Sequence, residues 1–275
     1  MSQPQTLTPT IGIIISTYER TEALALVLKS LIAQTYRHFK VVVADDGSRI
    51  QTRELVERVA RDGHLSLTHV WQEDQGYRLA AIRNRAIAAI DTEYLIFIDG
   101  DCLTRPNFVA RHALLAERGW FVRGSRISLR RTLTNEVLTR NIRVHEWNAL
   151  RWLTQRLRRR TDRFTPLLSI PLGPLRKISP HAWDGAKGCN LAVWRDDALA
   201  INGFDESYKG WGAEDNDFVV RLIKRGVSRK DGRYAVPVLH LWHPQRTPET
   251  ENYDRFAKRV AGLESWIECG VNQYL

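Results

Sequence analysis

Short apolar runs alternate with amphipathic segments along the first hundred residues. Each run is rich in β-branched residues, which is typical of buried strands. Four such runs lie at 11–16, 40–45, 65–70 and 93–99. Apolar positions recur at helical spacing between them, at 22–34, 55–59 and 79–90. This alternation predicts an α/β fold in which helices flank a Rossmann-like, mostly parallel central sheet.

The second half is less regular but carries patterns of the same kinds. Further strands are predicted at 120–129, 188–194 and 233–242, and further helices at 135–163, 214–225 and 253–268. Four prolines between residues 164 and 182 predict a loop there. Because Pro237 has no backbone N–H, we expect the last strand to lie at a sheet edge or to contain a bulge.

The predicted helix at 135–163 is strongly basic. Leu150, Leu153 and Leu157 fall on one face, and six arginines crowd the remainder of 151–163. Basic amphipathic helices bind anionic membrane surfaces, so residues 145–163 are expected to contact such a membrane. The alternatives are an ordinary surface helix and arginines that bind a diphosphate.

Three of the predicted strands end in acidic or hydroxyl-bearing residues, at 16–20, 45–48 and 99–101. Parallel strands end at one edge of their sheet, and open α/β sheets bind ligands outside that edge. A single aspartate at a strand end more often forms a turn. Three such ends together favour a binding site.

Two aspartates one residue apart, Asp99 and Asp101, follow the fourth strand. Paired carboxylates can hold Mg²⁺ or Mn²⁺, and such an ion bridges a diphosphate. The pattern alone is weak, but its position between a strand and a helix strengthens it. His240 and His243, in LHLWHP at the end of the last strand, are either ordinary polar residues or further ligands of that metal.

A second acidic stretch, GFDESYKGWGAEDNDFVVRLIKRG, covers residues 203–226. Trp211 lies between two glycines there, so a flat apolar face adjoins backbone that a ligand can approach closely. Carboxylates beside an aromatic ring suit the hydroxyls and the C–H face of a sugar. Glu214 and Asp215 also fit a helix N-terminus, where acids are favourable without any ligand. The tryptophan and glycines favour the sugar site.

Composition and charge narrow the classes of function. The net charge is +10, from 41 Lys+Arg against 31 Asp+Glu, which favours anionic partners. No helix-turn-helix, zinc-finger or RNA-binding aromatic pattern occurs, so we expect no nucleic acid partner. The three cysteines are interpreted as reduced thiols. The N-terminal MSQPQTLTPT lacks signal-peptide features, and no apolar run reaches the roughly 18 residues of a spanning helix, which predicts a cytoplasmic protein, peripheral at most to the inner face of the membrane.

Taken together, these motifs resemble those of the family-2-type glycosyltransferases of the GT-A fold. IGIIISTYER, VVVADDGS, DQGYRLAAIRNRAI and IFIDGDC resemble the nucleotide-binding half of that family. AKGCNLAVW, GWGAEDNDF and LHLWHP resemble the acceptor half of bacterial chondroitin synthases, polypeptide GalNAc-transferases and β-1,4-galactosyltransferases. The resemblance implies a single domain over 1–275, with a nucleotide-sugar-binding half (11–128), a basic helical and loop insertion (129–184), an acceptor half (185–245) and a C-terminal helix (246–275).

The resemblance implies donor-side roles for five positions. Tyr18 would lie against a uracil ring, and Asp46 would read that base. Arg78 and Arg83 would approach the donor, while Asp99 would contact the ribose or a metal-bound water. The chain departs from the family beside Tyr18, because Glu19 stands where an asparagine is usual.

The remaining matching positions would bind the metal and the acceptor. Asp101 would ligate Mn²⁺ or Mg²⁺ directly, and His243 would complete the coordination. Trp211 and Glu214 would bind the acceptor, and Asp215 would act as the general base.

The implied activity is that of a metal-dependent inverting glycosyltransferase. It would move a hexose or N-acetylhexosamine from a UDP-sugar to a hydroxyl of a glycan or lipid-linked glycan, in the synthesis of a bacterial surface polysaccharide or lipopolysaccharide. A sugar nucleotidyltransferase is one alternative, although STYER stands where those enzymes usually carry a glycine-rich basic loop. An inactive nucleotide-sugar-binding homologue is another, which the intact Asp99, Asp101, Asp215 and His243 disfavour.

Overall fold

A computed structural model describes residues 8–275 of the chain. Residues 1–7, which include most of the segment interpreted as lacking a signal peptide, lie outside the described residues. Within 8–275, no helix is both long and apolar enough to cross a bilayer.

The alternating order predicted for the first half is confirmed. The elements are β1 (Ile11–Thr17), α1 (Thr21–Ile32), β2 (Phe39–Asp45), α2 (Ile50–Arg61), β3 (Ser66–Trp71), α3 (Leu79–Ala89) and β4 (Tyr94–Asp99). The strands pair in parallel in the order β3-β2-β1-β4. Every residue of β1 is buried, because apolar clusters cover both faces of the sheet. All four strands therefore end at one edge.

The second half extends the same sheet with strands of mixed direction. It comprises β5 (Cys102–Thr104), α4 (Phe108–Leu115), β6 (Trp120–Arg123), β7 (Ser125–Ser128), α5 (Arg131–Arg140), α6 (Ala149–Leu157), β8 (Asn190–Trp194), α7 (Arg195–Ala200), α8 (Glu214–Lys224), β9 (Ser228–Asp231), β10 (Pro237–His240) and α9 (Thr250–Ala261). Strand β8 pairs antiparallel with β4 on one side and with β6 on the other. The seven-stranded sheet is therefore ordered β3-β2-β1-β4-β8-β6-β9.

The strand predicted at 120–129 is two strands in different sheets. The chain turns at Gly124, whose amide donates to the Asn190 carbonyl at 2.9 Å. A Cβ on Gly124 would lie 2.1 Å from the Asn190 side chain, so only glycine permits this approach. Strand β6 stays in the large sheet, whereas β7 joins a three-stranded sheet ordered β5-β10-β7.

The prediction for Pro237 was wrong. Strand β10 is the central strand of the small sheet, and it is shorter than the predicted 233–242. Proline is tolerated because Pro237 is the first residue of the strand. The central position pairs His240 with Cys102, directly after Asp101.

The basic segment is not one helix. Helix α5 ends at Asn141, which has a left-handed φ of 52°, and a single 3₁₀ turn follows at Val144–Glu146. Helix α6 begins after Asn148, whose side chain accepts from the Arg151 amide at 2.9 Å. Two further 3₁₀ turns, Thr165–Leu167 and Gly173–Lys177, interrupt the predicted loop.

Candidate functional site

The turn that carries the two aspartates is packed tightly against β1. Ser16 is the register partner of Asp99, and its carbonyl accepts from the Gly100 amide at 2.7 Å. A Cβ on Gly100 would lie 2.7 Å from the Thr17 hydroxyl, so a larger residue would push the turn outward. The glycine thus fixes both carboxylates against the sheet edge.

Asp101 faces two histidines. Its carboxylate oxygens lie 3.6 Å from His240 Nε2 and 3.5 Å from His243 Nε2. His243 Nδ1 lies 2.8 Å from the Pro244 carbonyl, which can only accept, so Nδ1 donates to that carbonyl and Nε2 is the ring nitrogen that faces Asp101. Burial lowers the pKa of His240 to about 4, which keeps its imidazole neutral at pH 7.

This donor set fits a divalent metal. A carboxylate with neutral imidazoles suits Mn²⁺ and other first-row ions, and oxygen ligands suit Mg²⁺. Ligand atoms of Asp101, Cys102 and His240 lie within 4.8 Å of one another. The Arg20 guanidinium forms an ion pair with Asp101 and also donates to the Trp242 carbonyl at 3.3 Å. A protein cation therefore already neutralises the carboxylate at the position assigned to a metal.

Arg83 joins the two aspartate-rich segments of the sequence. It projects from α3, with only 1% of its side chain exposed. Its Nη1 donates to Asp215 Oδ1 at 2.6 Å, and its Nη2 lies 3.4 Å from Asp99 Oδ1. Glu214 Oε1 lies 3.7 Å from the same guanidinium. The structure therefore brings donor-side Asp99 and acceptor-side Glu214 and Asp215 around one buried cation.

Burial raises the pKa values of two carboxyl groups in this cluster. Burial raises the pKa of Glu214 to about 8, and the neighbouring Asp215 charge adds to the rise while Arg83 opposes it. Burial also raises the pKa of Asp99, again against the effect of Arg83. The raised pKa favours the protonated form of Glu214, whose carboxyl can then donate a hydrogen bond.

Asp215 is held in one orientation by two donors. Arg83 binds one carboxylate oxygen, and the Gly188 amide donates to the other at 2.8 Å. A Cβ on Gly188 would lie 2.4 Å from both Asp215 Oδ1 and Arg83 Nη2. The side chain of Asp215 remains 23% exposed, so it faces the solvent side of the cluster.

The other donor-side residues form a neighbouring group at the ends of β1 and β2. Asp46 is buried, and its oxygens accept from Gln72 Nε2 at 2.6 Å and from the Arg78 amide at 2.8 Å. The Tyr18 hydroxyl donates to Asp74 at 2.9 Å, and its ring stays 37% exposed. Burial raises the pKa of Asp46. The Arg246 guanidinium lies 5.9 Å from the Tyr18 ring and 4.8 Å from the ring of Tyr77, so it lies between this group and the residue beside the Arg83 cluster.

Glu19 has a structural role at its unusual position. It adopts a left-handed φ of 54°, and its carboxylate binds both the backbone amide and the guanidinium of Arg49, at 2.7–2.9 Å. The Ser48 hydroxyl lies 2.8 Å from the Glu19 amide and accepts from it. Glu19 therefore ties the loop after β1 to the start of α2.

Trp211 is 38% exposed in the loop between α7 and α8. Its carbonyl accepts from the Glu249 amide at 3.0 Å, and the neighbouring Gly210 amide donates to the Tyr77 carbonyl at 3.2 Å. The loop therefore links the start of α9 to the segment before α3. The ring presents an open apolar face near this edge of the molecule.

Arg20, Tyr77 and Gly188 lie in the site although the sequence did not single them out. Burial raises the pKa of Tyr77 well above its usual value, with Glu214 and Asp99 nearby, and the Arg246 guanidinium lies 4.8 Å from its ring. Each of the three residues sits within a quoted motif, STYER, DQGYR or AKGCN. Tyr77 adjoins the predicted site residue Arg78 and Arg20 lies two positions after Tyr18, whereas no predicted site residue adjoins Gly188.

Comparison with known families covers most of the chain. The family described as Glycosyl transferase family 2 matches residues 12–172, and the family described as N-terminal domain of galactosyltransferase matches 179–244. The chondroitin synthase of Escherichia coli is 28% identical over 88% of this chain and 36% of its own length. The validoxylamine A glucosyltransferase of Streptomyces hygroscopicus subsp. jinggangensis is 28% identical over 93% of this chain and 62% of its own length. The chain thus spans between about a third and two thirds of these relatives.

Solved structures agree on the fold. The mannosyltransferase PcManGT of Pyrobaculum calidifontis, in complex with GDP-Man and Mn²⁺, is similar with a TM-score of 0.57 and 22% identity, over 88% of this chain and 59% of its own. GalNAc-T7 with UDP, GalNAc and Mn²⁺ reaches 0.64 at 16% identity, over 92% and 48%. The fold is the GT-A fold predicted from the sequence, in one domain. The chain belongs to glycosyl transferase family 2.

Proposed function

We propose that the chain is a metal-dependent, inverting glycosyltransferase that uses a UDP-sugar. It transfers a hexose or an N-acetylhexosamine to a hydroxyl of a glycan or lipid-linked glycan, in the synthesis of a bacterial surface polysaccharide or lipopolysaccharide. The observation that carries this proposal is the Arg83 cluster, which places Asp99 at the end of β4 beside Glu214 and Asp215 at the start of α8. The same proposal includes the division of the chain into a nucleotide-sugar-binding half (11–128), a basic helical and loop insertion (129–184), an acceptor half (185–245) and a C-terminal helix (246–275).

The metal site comprises Asp101 and His243, with His240 as a further neutral imidazole. When bound there, Mn²⁺ or Mg²⁺ supplies Lewis-acid stabilisation of a departing diphosphate. The orientation of His243 supports this assignment, since its Nδ1 donates to the Pro244 carbonyl and its Nε2 lies 3.5 Å from Asp101. PcManGT and GalNAc-T7, which share the fold, are described with Mn²⁺.

The acceptor side supplies the proton transfer. Asp215 takes the proton of the attacking hydroxyl, and the protonated Glu214 binds an acceptor oxygen. Arg83 and the Gly188 amide fix the orientation of Asp215, which leaves only its solvent-facing lone pairs for the acceptor. One base and one displacement produce inversion at the anomeric carbon. Trp211 offers the apolar face against which a sugar ring lies.

Donor recognition is assigned to the neighbouring group. Tyr18 packs against uracil, Asp46 reads the base, and Arg78 approaches the donor from the start of α3. Arg83 acts on the donor side through Asp99 and is buried beneath it. Relatives named for a glucosyltransferase and a chondroitin synthase are consistent with a hexose or an N-acetylhexosamine.

The decisive experiment measures nucleoside diphosphate release across donors. UDP-glucose, UDP-galactose, UDP-GlcNAc, UDP-GalNAc and GDP-mannose are each incubated with the protein and Mn²⁺, with and without EDTA. We expect release from at least one UDP-sugar, loss of release in EDTA and recovery with Mn²⁺. Release from GDP-mannose alone would overturn the uridine assignment, and full release in EDTA would remove the metal from the reaction.

A further inference from the structure

The leucine face of α6 points away from the protein. The sequence pattern placed Leu150, Leu153 and Leu157 on one side of this helix, and such a face normally packs inward. In the structure the opposite side packs inward, through Trp152, which is fully buried. Leu150 and Leu157 are 70% and 74% exposed. The helix therefore presents its apolar stripe to the surroundings.

Arginines flank this stripe on both sides. At 100° per residue, Arg151 and Arg158 lie along one border of the leucines and Arg156 lies along the other. Arg159 follows directly after the helix and is also exposed. Within residues 8–275, no carboxylate pairs with Arg156, Arg158 or Arg159. Arg151 stacks on the Trp147 ring at 4.1 Å, so Arg156, Arg158 and Arg159 are the flanking charges most available to an external anion.

Exposed apolar side chains bordered by unpaired cations are complementary to the surface of an anionic bilayer. Leucines on an interfacial helix enter the acyl boundary of a bilayer while flanking arginines bind anionic head groups. A protein partner would have to match the arginines with a dense acidic patch, and a second copy of this basic segment would be repelled. Charge complementarity therefore favours an anionic phospholipid surface over either of these occupants.

We propose that α6 docks the protein on an anionic phospholipid bilayer, with Leu150 and Leu157 inserted and Arg151, Arg156, Arg158 and Arg159 on the head groups. This docking mode refines the membrane contact expected for 145–163, because it identifies the inserted face. The surface lies outside the carboxylate cluster. Its binding to a bilayer does not depend on the donor or on the metal.

The docked helix is tied closely to the active-site edge. Past its C-terminus, the Arg160 carbonyl accepts from the Arg130 amide at 2.8 Å, and the Asp162 amide donates to the Ser128 carbonyl at 3.1 Å. Ser128 is the register partner of His240 in the small sheet. The chain that follows α6 is therefore bonded to the strand that pairs with the histidine strand, which suits an acceptor attached to lipid.

Vesicle co-sedimentation of the full chain tests the proposal. Phosphatidylcholine vesicles are compared with vesicles that also contain phosphatidylglycerol, at low and high salt. We expect binding only to the anionic vesicles, weakened by salt because the head-group attraction is screened. Replacing three arginines in R156Q/R158Q/R159Q should lower the partition coefficient at least about tenfold. L150S/L157S should lower binding comparably, with less effect on its salt dependence.

Matched controls come from other exposed positions. Arg53, Arg58 and Arg61 are exposed on α2, and Leu114 and Leu263 are 84% and 91% exposed. The variants R53Q/R58Q/R61Q and L114S/L263S should bind vesicles like the unaltered protein. Equal losses in control and α6 variants would overturn the proposal, as would no binding to anionic vesicles. A dimer in analytical ultracentrifugation that L150S/L157S abolishes, without vesicle binding, would assign the face to a second copy instead.

The vesicle assay measures no catalysis, so its outcome is separate from that of the donor screen. UDP release with a water-soluble acceptor should be unchanged in the α6 variants. A protein that releases UDP but ignores vesicles would retain the proposed reaction and lose only the docking surface.

Discussion

The guanidinium of Arg20 lies beside Asp101, at the position where a metal ion is proposed to bind. It neutralises a carboxylate that also faces two imidazoles, and it holds the Trp242 carbonyl on the histidine segment. On the proposed assignment of the metal to Asp101, an incoming ion displaces this contact. Arg20 would then compete with the metal in the donor-free protein.

Replacing Arg20 by glutamine should tighten Mn²⁺ binding. A charge-assisted hydrogen bond contributes about 1.5–3 kcal/mol, so its removal should lower the Kd for Mn²⁺ by roughly tenfold. Isothermal titration calorimetry without donor measures this directly. Arg49→Gln is the control, because Arg49 pairs with Glu19 outside the metal site. Equal or weaker Mn²⁺ binding in Arg20→Gln would show that Arg20 does not compete.

Asp215→Asn should fold normally and lose transfer. The side chain keeps its size, but an amide cannot accept the proton of the acceptor hydroxyl, so turnover should fall about 10²–10⁴-fold. Steady-state UDP release with acceptor measures the loss, and the thermal midpoint checks the fold. Substantial retained transfer would exclude Asp215 as the base.

Asp217, a further acid of the 203–226 stretch, joins helices α8 and α9. Asp217 on α8 is fully buried, and it binds Arg221 Nε at 2.6 Å and Arg259 Nε on α9 at 2.9 Å. Asp205 also binds Arg259, at 3.1 Å. The five acids of 203–226 thus divide into a site pair, Glu214 and Asp215, and acids that hold α8 and α9 together or pack elsewhere.

Asp217→Asn should behave oppositely to Asp215→Asn. Loss of one charge leaves buried arginine uncompensated, so the variant should be destabilised by about 3–5 kcal/mol. Urea unfolding followed by circular dichroism measures this change. A midpoint close to that of the unaltered protein would mean that Arg221 and Arg259 find other partners.

The long elements were predictable from the sequence and the short ones were not. Strands β1, β2 and β4 are nearly continuous apolar runs, β3 alternates apolar and polar residues, and α1 to α3 repeat at helical spacing, so periodicity alone located them. Strands β5 and β9 span three or four residues, too few to show a period. The division of 120–129 depended on contact between Gly124 and Asn190, which no local pattern reveals.

The candidate site was likewise predictable only where its residues belong to local sequence patterns. Strand ends and motif resemblance indicated which residues to inspect, and the structure groups Asp99 with Glu214 and Asp215. The contacts of Arg83, however, join residues up to 132 positions apart. Such partners are set by packing of the whole chain, so sequence spacing could not assign Arg83 its buried position or identify Arg20 as the partner of Asp101.

The free energy of unfolding should depend on pH in a way that reflects the raised pKa of Glu214. Its raised pKa means that the folded chain keeps a proton that the unfolded chain releases between about pH 5 and pH 8. The unfolded state binds fewer protons in that window, so this residue lowers stability as pH rises. A pKa difference of one between the folded and unfolded chain corresponds to about 1.4 kcal/mol.

Glu214→Gln removes this titration. The unaltered protein loses this stability as the pH rises, and the variant does not. The free energy of unfolding of the variant minus that of the unaltered protein should therefore increase by more than about 1 kcal/mol from about pH 5 to about pH 9. Urea unfolding at the two pH values measures the difference. An exposed control, Glu54→Gln, should show no such trend. A pH-independent difference for Glu214→Gln would mean that the carboxyl is already ionised at neutral pH.

Strand β8 has a consequence for exchanging parts between relatives. Its antiparallel register with β4 runs from Tyr94–Trp194 to Ile98–Asn190, so the two halves of the enzyme share one hydrogen-bonded ladder. A chimera that takes its C-terminal half from another enzyme must preserve this pairing residue for residue. A slip of one position would turn every side chain of β8 to the opposite face and carry Gly188 away from Asp215. Acceptor specificity is therefore more safely transplanted as loops beyond β8 than as a half-molecule.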